Sequence, residues 1–299
     1  MTAMRRDGLI WIVLFSHLAA LVFGLIGMLY VMPNLADFAS NRRAMEVYDW
    51  SIHNAGSTHI ILGAATMFLV GLRAIGLRKT LIFFVASTSI SLFSEWLGTS
   101  YGIPFGNYEY TSFLGYKIDG HVPYSIPLSW FYIGFACYLL ASVIVTSFGI
   151  RRASLATIAL GVWFLTVWDL VLDPAMAHES LTIKFWIWGQ SGAYFGMPIR
   201  NFIGWSITGL IYMGVARLLW REEPKIAPAA TLLPLIVYVA NMVFAMVISI
   251  SVGLWIPVFL ALLLGVLPAA YSLLIRPNRK QEEPTAAPAT GTLTSSSSR

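Results

Sequence analysis

Ile126-Pro-Leu-Ser-Trp-Phe-Tyr-Ile-Gly-Phe-Ala-Cys-Tyr-Leu-Leu-Ala-Ser-Val-Ile-Val-Thr-Ser-Phe148 runs for 23 residues without a charged side chain. A helix needs about 20 mostly apolar residues to cross a bilayer, so this stretch is a complete span. Comparable runs cover Leu9–Met32, Thr58–Ile75, Thr80–Leu97, Ala153–Leu172, Ile199–Leu219, Ala230–Val252 and Leu254–Ile275, making eight. The last two are separated by very few residues and contain Pro234, Pro257 and Pro268; counted together they reduce the number to seven. The whole chain agrees, with 58% hydrophobic and only 11% charged residues. A soluble domain carries about 25% charged residues, so a water-soluble globule is excluded. The expected fold is an all-α polytopic membrane bundle in the cell membrane. Its single transmembrane domain covers 1–275, and a Pro-, Thr- and Ser-rich tail over 276–299 is expected to be disordered and cytoplasmic.

Arg5 and Arg6 precede the first span as in a signal peptide, but its apolar stretch is too long for one, so it is expected to be retained. Charge then orients the bundle. With the N-terminus in the cytoplasm, the cytoplasmic segments hold 14 of the 19 Lys and Arg residues. Arg42, Arg43, Lys117, Lys184 and Arg200 are the five left outside. The positive-inside rule therefore predicts that both termini are cytoplasmic. It also accounts for the net charge of +5 without a nucleic-acid partner. Nine of the 14 acids fall on the outer side, which directs the search for chemistry there.

Spans three and four share a plan with spans five and six. Each pair starts with a helix ending in an acid, Glu95 or Asp169 and Asp173. Each continues through an outer loop of about 25–30 residues, long for a connection, and re-enters at Pro127-Leu128 or Pro198-Ile199. The layout reads as a parallel internal repeat, or as chance similarity between two hairpins. Ser87, Ser91, Ser94 and Glu95 share one helix face, as do Thr166, Asp169 and Asp173. Small hydroxyl residues on such a face serve helix packing. Asp169 is different, because a carboxylate one turn inside a span costs about 2.5–3.5 kcal/mol on insertion scales.

Several short patterns carry little. Gly98-Thr-Ser-Tyr-Gly102 fits a hydrolase G-x-S-x-G, but it follows a membrane helix instead of a strand, and its glycines are read as turning the chain. His17, His53, His59, His121 and His178 have no paired spacing. Asp119-x-His121 and His178-Glu179 are read as solvated loop groups before metal ligands. Cys137 is a small buried hydrophobe. The outer Trp and Tyr residues divide between an interfacial belt and the lining of an apolar pocket.

Two longer stretches are more specific. Glu95-Trp-Leu-Gly-Thr-Ser-Tyr-Gly-Ile-Pro-Phe-Gly-Asn-Tyr-Glu-Tyr110 resembles one signature of the integral-membrane carotenoid hydratases. Asp169-Leu-Val-Leu-Asp-Pro174, Trp186-Ile-Trp188, Tyr194-Phe-Gly-Met-Pro198, Asn201 and Gly204-Trp205 resemble the other. The resemblance covers roughly residues 58–220. It implies addition of water to the terminal isopropylidene double bond of an acyclic carotenoid end group, with no cofactor and no metal. The expected substrate is of lycopene or γ-carotene type, a bacterial pattern, since the basic charge is unlike that of a halophile; a C50 precursor of bacterioruberin is the haloarchaeal one. Partners are the carotenoid within the bilayer and other membrane enzymes of the carotenoid pathway.

The chemistry assigns provisional roles. An isolated alkene is protonated only by a carboxylic acid, and Asp169 and Asp173, one turn apart, can share a proton. Asp173 is the expected donor and Asp169 its partner. Glu95, Asp119 or His121 is the base that accepts a proton from the attacking water. Trp130, Trp186 and Trp188 are candidate cation stabilisers, Asn201 orients the water, and Tyr108, Tyr110 and Tyr194 complete the substrate pocket. Eight spans and membrane carboxylates also suit a proton-coupled transporter, and a non-catalytic subunit of a carotenoid-pathway complex is the third class.

Overall fold

A computed structural model describes residues 3–275, with side chains from Gly8 onward except those of Pro228 and Ala229. The expected tail over 276–299, with four of the basic residues counted above, lies outside the described residues. Among the described residues eight helices are long and apolar enough to cross a membrane. The first is α1 (Ala3–Ile26), which continues through a π-helical turn, Gly27–Val31. A short α2 (Leu35–Phe38) leads to α3 (Arg42–Ala74) and α4 (Leu77–Tyr101). Then come α5 (Ser125–Ser147), α6 (Ala153–Ala177), α7 (Ile199–Leu219) and α8 (Leu232–Ser251). The eighth span, Trp255–Leu274, is interrupted: α9 (Trp255–Leu260), a π turn and α10 (Leu267–Ala270) follow one another around Pro268. The count is eight, not seven.

The largest departure from expectation is α3, which starts 16 residues before Thr58. Hydropathy locates only the part of a helix that sits in lipid. The polar beginning is helical for local reasons. The Asn41 side chain caps the Ala44 N–H at 3.1 Å, and Arg42 pairs with Glu46 one turn on at 2.9 Å. At 1.5 Å per residue the helix is about 50 Å long, well beyond the ~30 Å hydrocarbon layer.

α5 is the hub. Every residue from Trp130 to Val145 is buried, because α3, α4, α6 and α8 pack around it. A helix apolar on all sides is one surrounded by protein or lipid; here protein takes that place. α4, α5, α6 and α7 close into a ring in which α4 and α6 each touch both α5 and α7. α1, α3 and α8 cover the α5 side of that ring.

The loops after α4 and α6 meet at one end of the ring. β1 (Tyr108–Tyr110) pairs antiparallel with β4 (Trp186–Trp188), setting Tyr108 opposite Trp188 and Tyr110 opposite Trp186. A second small ribbon joins β2 (Lys117–Ile118) to β3 (Val122–Pro123). The two halves of the ring are built alike. Tyr108 follows Glu95 by 13 residues and bonds to it; Trp186 follows Asp173 by 13 and bonds to it.

Candidate active site

Side chains alternate across a strand, so Tyr108 and Tyr110 face one way and Glu109 the other. The paired strands therefore present four aromatic rings on one face. Tyr108 and Trp188 lie 5.1 Å apart between ring centroids, and Tyr110 and Trp186 6.0 Å. That face is turned to the ends of α4 and α6, where the acids are.

Glu95 is buried and receives three donors. The hydroxyls of Tyr108 and Tyr110 (2.8 Å for the latter) reach Oε2, and Trp130 Nε1 reaches Oε1 at 2.8 Å. Burial first, and then the Glu95 carboxyl beside them, push both tyrosine hydroxyls well above their usual range. They remain donors at any physiological pH. Glycine makes this approach possible: a Cβ at Gly98, one turn after Glu95, would sit 3.0 Å from the Tyr108 ring and 2.7 Å from Phe105. Gly98 thus lies inside α4 and serves close packing, while Gly102, with φ of +71°, ends the helix. Ser100 is in the last turn of α4, not on a strand-to-helix elbow.

Asp169 and Asp173 stand one turn apart on α6, both buried. A single amide nitrogen joins them, Asn201 Nδ2 donating to Asp169 Oδ2 at 2.7 Å and to Asp173 Oδ2 at 2.5 Å. Trp186 Nε1 donates to the other oxygen of Asp173 at 3.1 Å. Asp169 Oδ1 and Trp188 Nε1 are buried without a partner. No Lys or Arg forms an ion pair with any of the three acids among the described residues.

Glu95 and Asp173 face one small cavity, whose walls include Trp130, Trp205, Trp186, Trp188 and Phe105. Trp130 and Trp205 stack at 3.9 Å. Of the residues singled out in the sequence, Glu95, Asp173, Tyr108, Tyr110, Trp130, Trp186, Trp188 and Asn201 line this cavity, with Asp169 directly behind. Asp119 and His121 do not. Asp119 accepts from Trp96 Nε1 at 3.0 Å on the exposed loop, and His121 lies beside Ser100 and Trp96. Tyr194 is also outside, its hydroxyl bonded to the Leu170 carbonyl. Trp205 was not assigned a role, although it follows Asn201 by four residues and so shares its helix face. Among the described residues no group of three His, Cys, Asp or Glu is placed to hold a metal ion.

A membrane helix ring that closes over uncompensated acids and stacked indoles defines a class: polytopic proteins with an acidic, aromatic-walled pocket at one end of the bundle. The chain matches the family described as Carotenoid biosynthesis protein over residues 55–268, and it belongs to that family. The bisanhydrobacterioruberin hydratase of Haloarcula japonica is 32% identical over 136 residues, 45% of this chain and 43% of that protein. The match thus spans less than half of that relative's length. No solved structure matches. The resemblance carried by the two loop signatures is borne out.

Proposed function

We propose that this protein is a carotenoid hydratase that adds water across the terminal isopropylidene double bond of an acyclic end group, of lycopene or γ-carotene type. The observation that carries the reading is the cavity shared by Asp173 and Glu95, walled by indoles and holding no counter-cation. A cationic intermediate is stabilised by carboxylates and by the faces of Trp rings.

In this reading the buried Asp169/Asp173 pair carries one proton, favoured on Asp173 by the neighbouring carboxylate, and it passes from Asp173 to the =CH carbon of the alkene. The electron pair of the double bond forms the new C–H bond, leaving a tertiary cation on the dimethyl carbon. Asn201 holds the two aspartates together, so its amide hydrogens are committed to them. A water is then placed by the unpartnered Trp188 Nε1 and the Asn201 carbonyl oxygen. Its oxygen bonds to the cation, its proton leaves to Glu95, and return of a proton from Glu95 to Asp173 across their common cavity restores the starting state. The sum is one water added. Of the three candidate bases Glu95 takes this role, since Asp119 and His121 do not line the cavity.

The test is expression in cells that accumulate lycopene or γ-carotene, followed by assay of membranes in H₂¹⁸O. Label in a new tertiary hydroxyl supports the proposal. Label drawn from ¹⁸O₂ makes the protein an oxygenase and overturns it.

A further inference from the structure

A second cavity, about 1150 Å³ measured to its open mouth, lies between α1, α3, α5, α6 and α8. It adjoins the acidic cavity: Ile126, Ser129, Leu172 and Trp186 line both. On α6 the division follows helix geometry. Trp168, Leu172 and Met176, at spacings of four, face the large cavity, and Asp173 faces the small one.

Several polar side chains of the large cavity are already bonded within the protein. Ser51 and Ser129 donate to backbone carbonyls at 2.6 and 2.8 Å. Tyr132 donates to Asn241 Oδ1 at 2.9 Å, and Asn241 Nδ2 lies 3.1 Å from His17 Nε2. His17 Nδ1 is 2.9 Å from the His59 carbonyl. A carbonyl only accepts, so the proton is on Nδ1 and Nε2 accepts from Asn241. These bonds are closed within the protein, and most of the remaining lining, including Phe23, Ile52, Ile60, Leu114, Ile133 and Phe244, is apolar, which favours a hydrocarbon occupant.

The outer wall has a further property. Phe23, Gly24, Gly27 and Met28 of the first span form it, and the π turn begins there, with Met32 N–H bonded to Gly27 O at 3.0 Å. π turns inside α-helices are frequent at functional sites. These residues precede the 55–268 region shared with the family, whereas the acids lie within it.

From this we infer that the large cavity holds the conjugated chain of the substrate while its end group passes the Ile126–Ser129–Leu172–Trp186 neck into the acidic cavity, and that the first span decides which chains fit. The inference rests on the hydratase reading for the identity of the ligand. It does not depend on turnover.

The experiment uses full-length protein in nanodiscs with lycopene as the probe, read by the induced circular dichroism of the polyene band. Gly24 faces inward, since a Cβ there would meet the Phe244 ring at 3.4 Å. Gly24→Leu fills the far end and Ser129→Phe fills the neck. Each is expected to weaken lycopene binding roughly tenfold or more, with Gly24→Ala and Ser129→Ala as controls that retain it. Asp173→Asn should keep the signal, since it alters chemistry and not the chain site. Thermal unfolding identifies a variant that fails to fold, and the other variant on its separate helix then decides. Lycopene bound but never hydrated sinks the proposed function and leaves this inference standing. Hydration and binding untouched by both large substitutions, or a co-purified phospholipid that lycopene does not displace, overturns the inference.

Discussion

The hydroxyl of Tyr194 donates at 2.9 Å to the carbonyl of Leu170, the acceptor that Pro174 leaves without its helical N–H. Proline in a helix removes the bond to the residue four before it, and Leu170 is that residue. Burial, aided by the nearby Asp169 and Asp173, pushes the Tyr194 hydroxyl well above its usual range, so it stays a donor. Its expected place among the substrate contacts is replaced by a structural one. Tyr194→Phe should cost about 1–3 kcal/mol, seen as a lower thermal midpoint with the substrate KM unchanged. Pro174→Ala restores the N–H, so Tyr194→Phe should cost much less in that background. Equal costs in both backgrounds would remove the link.

The orientation of the bundle is open to direct labelling. β1 and β4 tie the loops 102–124 and 178–198 to one end, so both must report the same side of the membrane. The charge count predicts that this side is outside. Cysteines at the exposed Tyr116 and Glu179 should react with an impermeant thiol reagent in intact cells, and one at Arg151 should not. Cys137 is buried and is replaced first. Labelling of the two loops only after permeabilisation would invert the topology.

Much of this architecture is legible in the sequence, and what is not has a physical cause. The spans can be read because lipid imposes a length of apolar chain that water does not. The polar start of α3 cannot, since Asn41 capping and an Arg42–Glu46 pair leave no hydropathy signal. In the site, Glu95, Asp169 and Asp173 stand out because a carboxylate in a span is costly. The pairing of Tyr108 with Trp188 is not visible locally, for it joins residues 80 apart through a ribbon only three residues long. Asp119 and His121 remain candidate bases on sequence alone, and only the fold shows them on the rim.

Phe105 is seated between two glycines, and that predicts a specific sensitivity. A Cβ at Gly98 would lie 2.7 Å from one edge of its ring and a Cβ at Gly204 2.6 Å from the other. The ring wedges between α4 and α7 and forms part of the acidic cavity wall. Gly204→Ala should overpack this contact at about 1–3 kcal/mol, lowering the thermal midpoint. Adding Phe105→Leu should recover part of the loss. A Gly204→Ala protein as stable as wild type would show that the ring is not confined.

The last prediction divides the labour among the acids. Asp173→Asn keeps an acceptor for Trp186 Nε1 but has no acidic proton to transfer. General acid catalysis contributes about 10²–10⁴-fold, and protonating an isolated alkene is at least that demanding, so product should fall below detection. Asp169 does not line the cavity; in the proposed mechanism its part is that of a neighbouring buried carboxyl, held one turn from Asp173 by the Asn201 clasp, whose charge favours a proton on Asp173. Asp169→Asn should therefore lower turnover and shift its pH profile without abolishing it, and Asn201→Leu should resemble it by releasing the clasp. Glu95→Gln is the most complex of the set. Its one carbonyl oxygen can serve Tyr108 and Tyr110 or serve Trp130, and the amide N–H then opposes the remaining donor. It should impair the water step and release a shifted alkene from the stranded cation, with a lowered thermal midpoint. All four proteins are compared at matched membrane levels, with substrate, alcohol and isomerised alkene quantified together. Near wild-type turnover by Asp173→Asn would eliminate it as the donor and pass that role to Glu95.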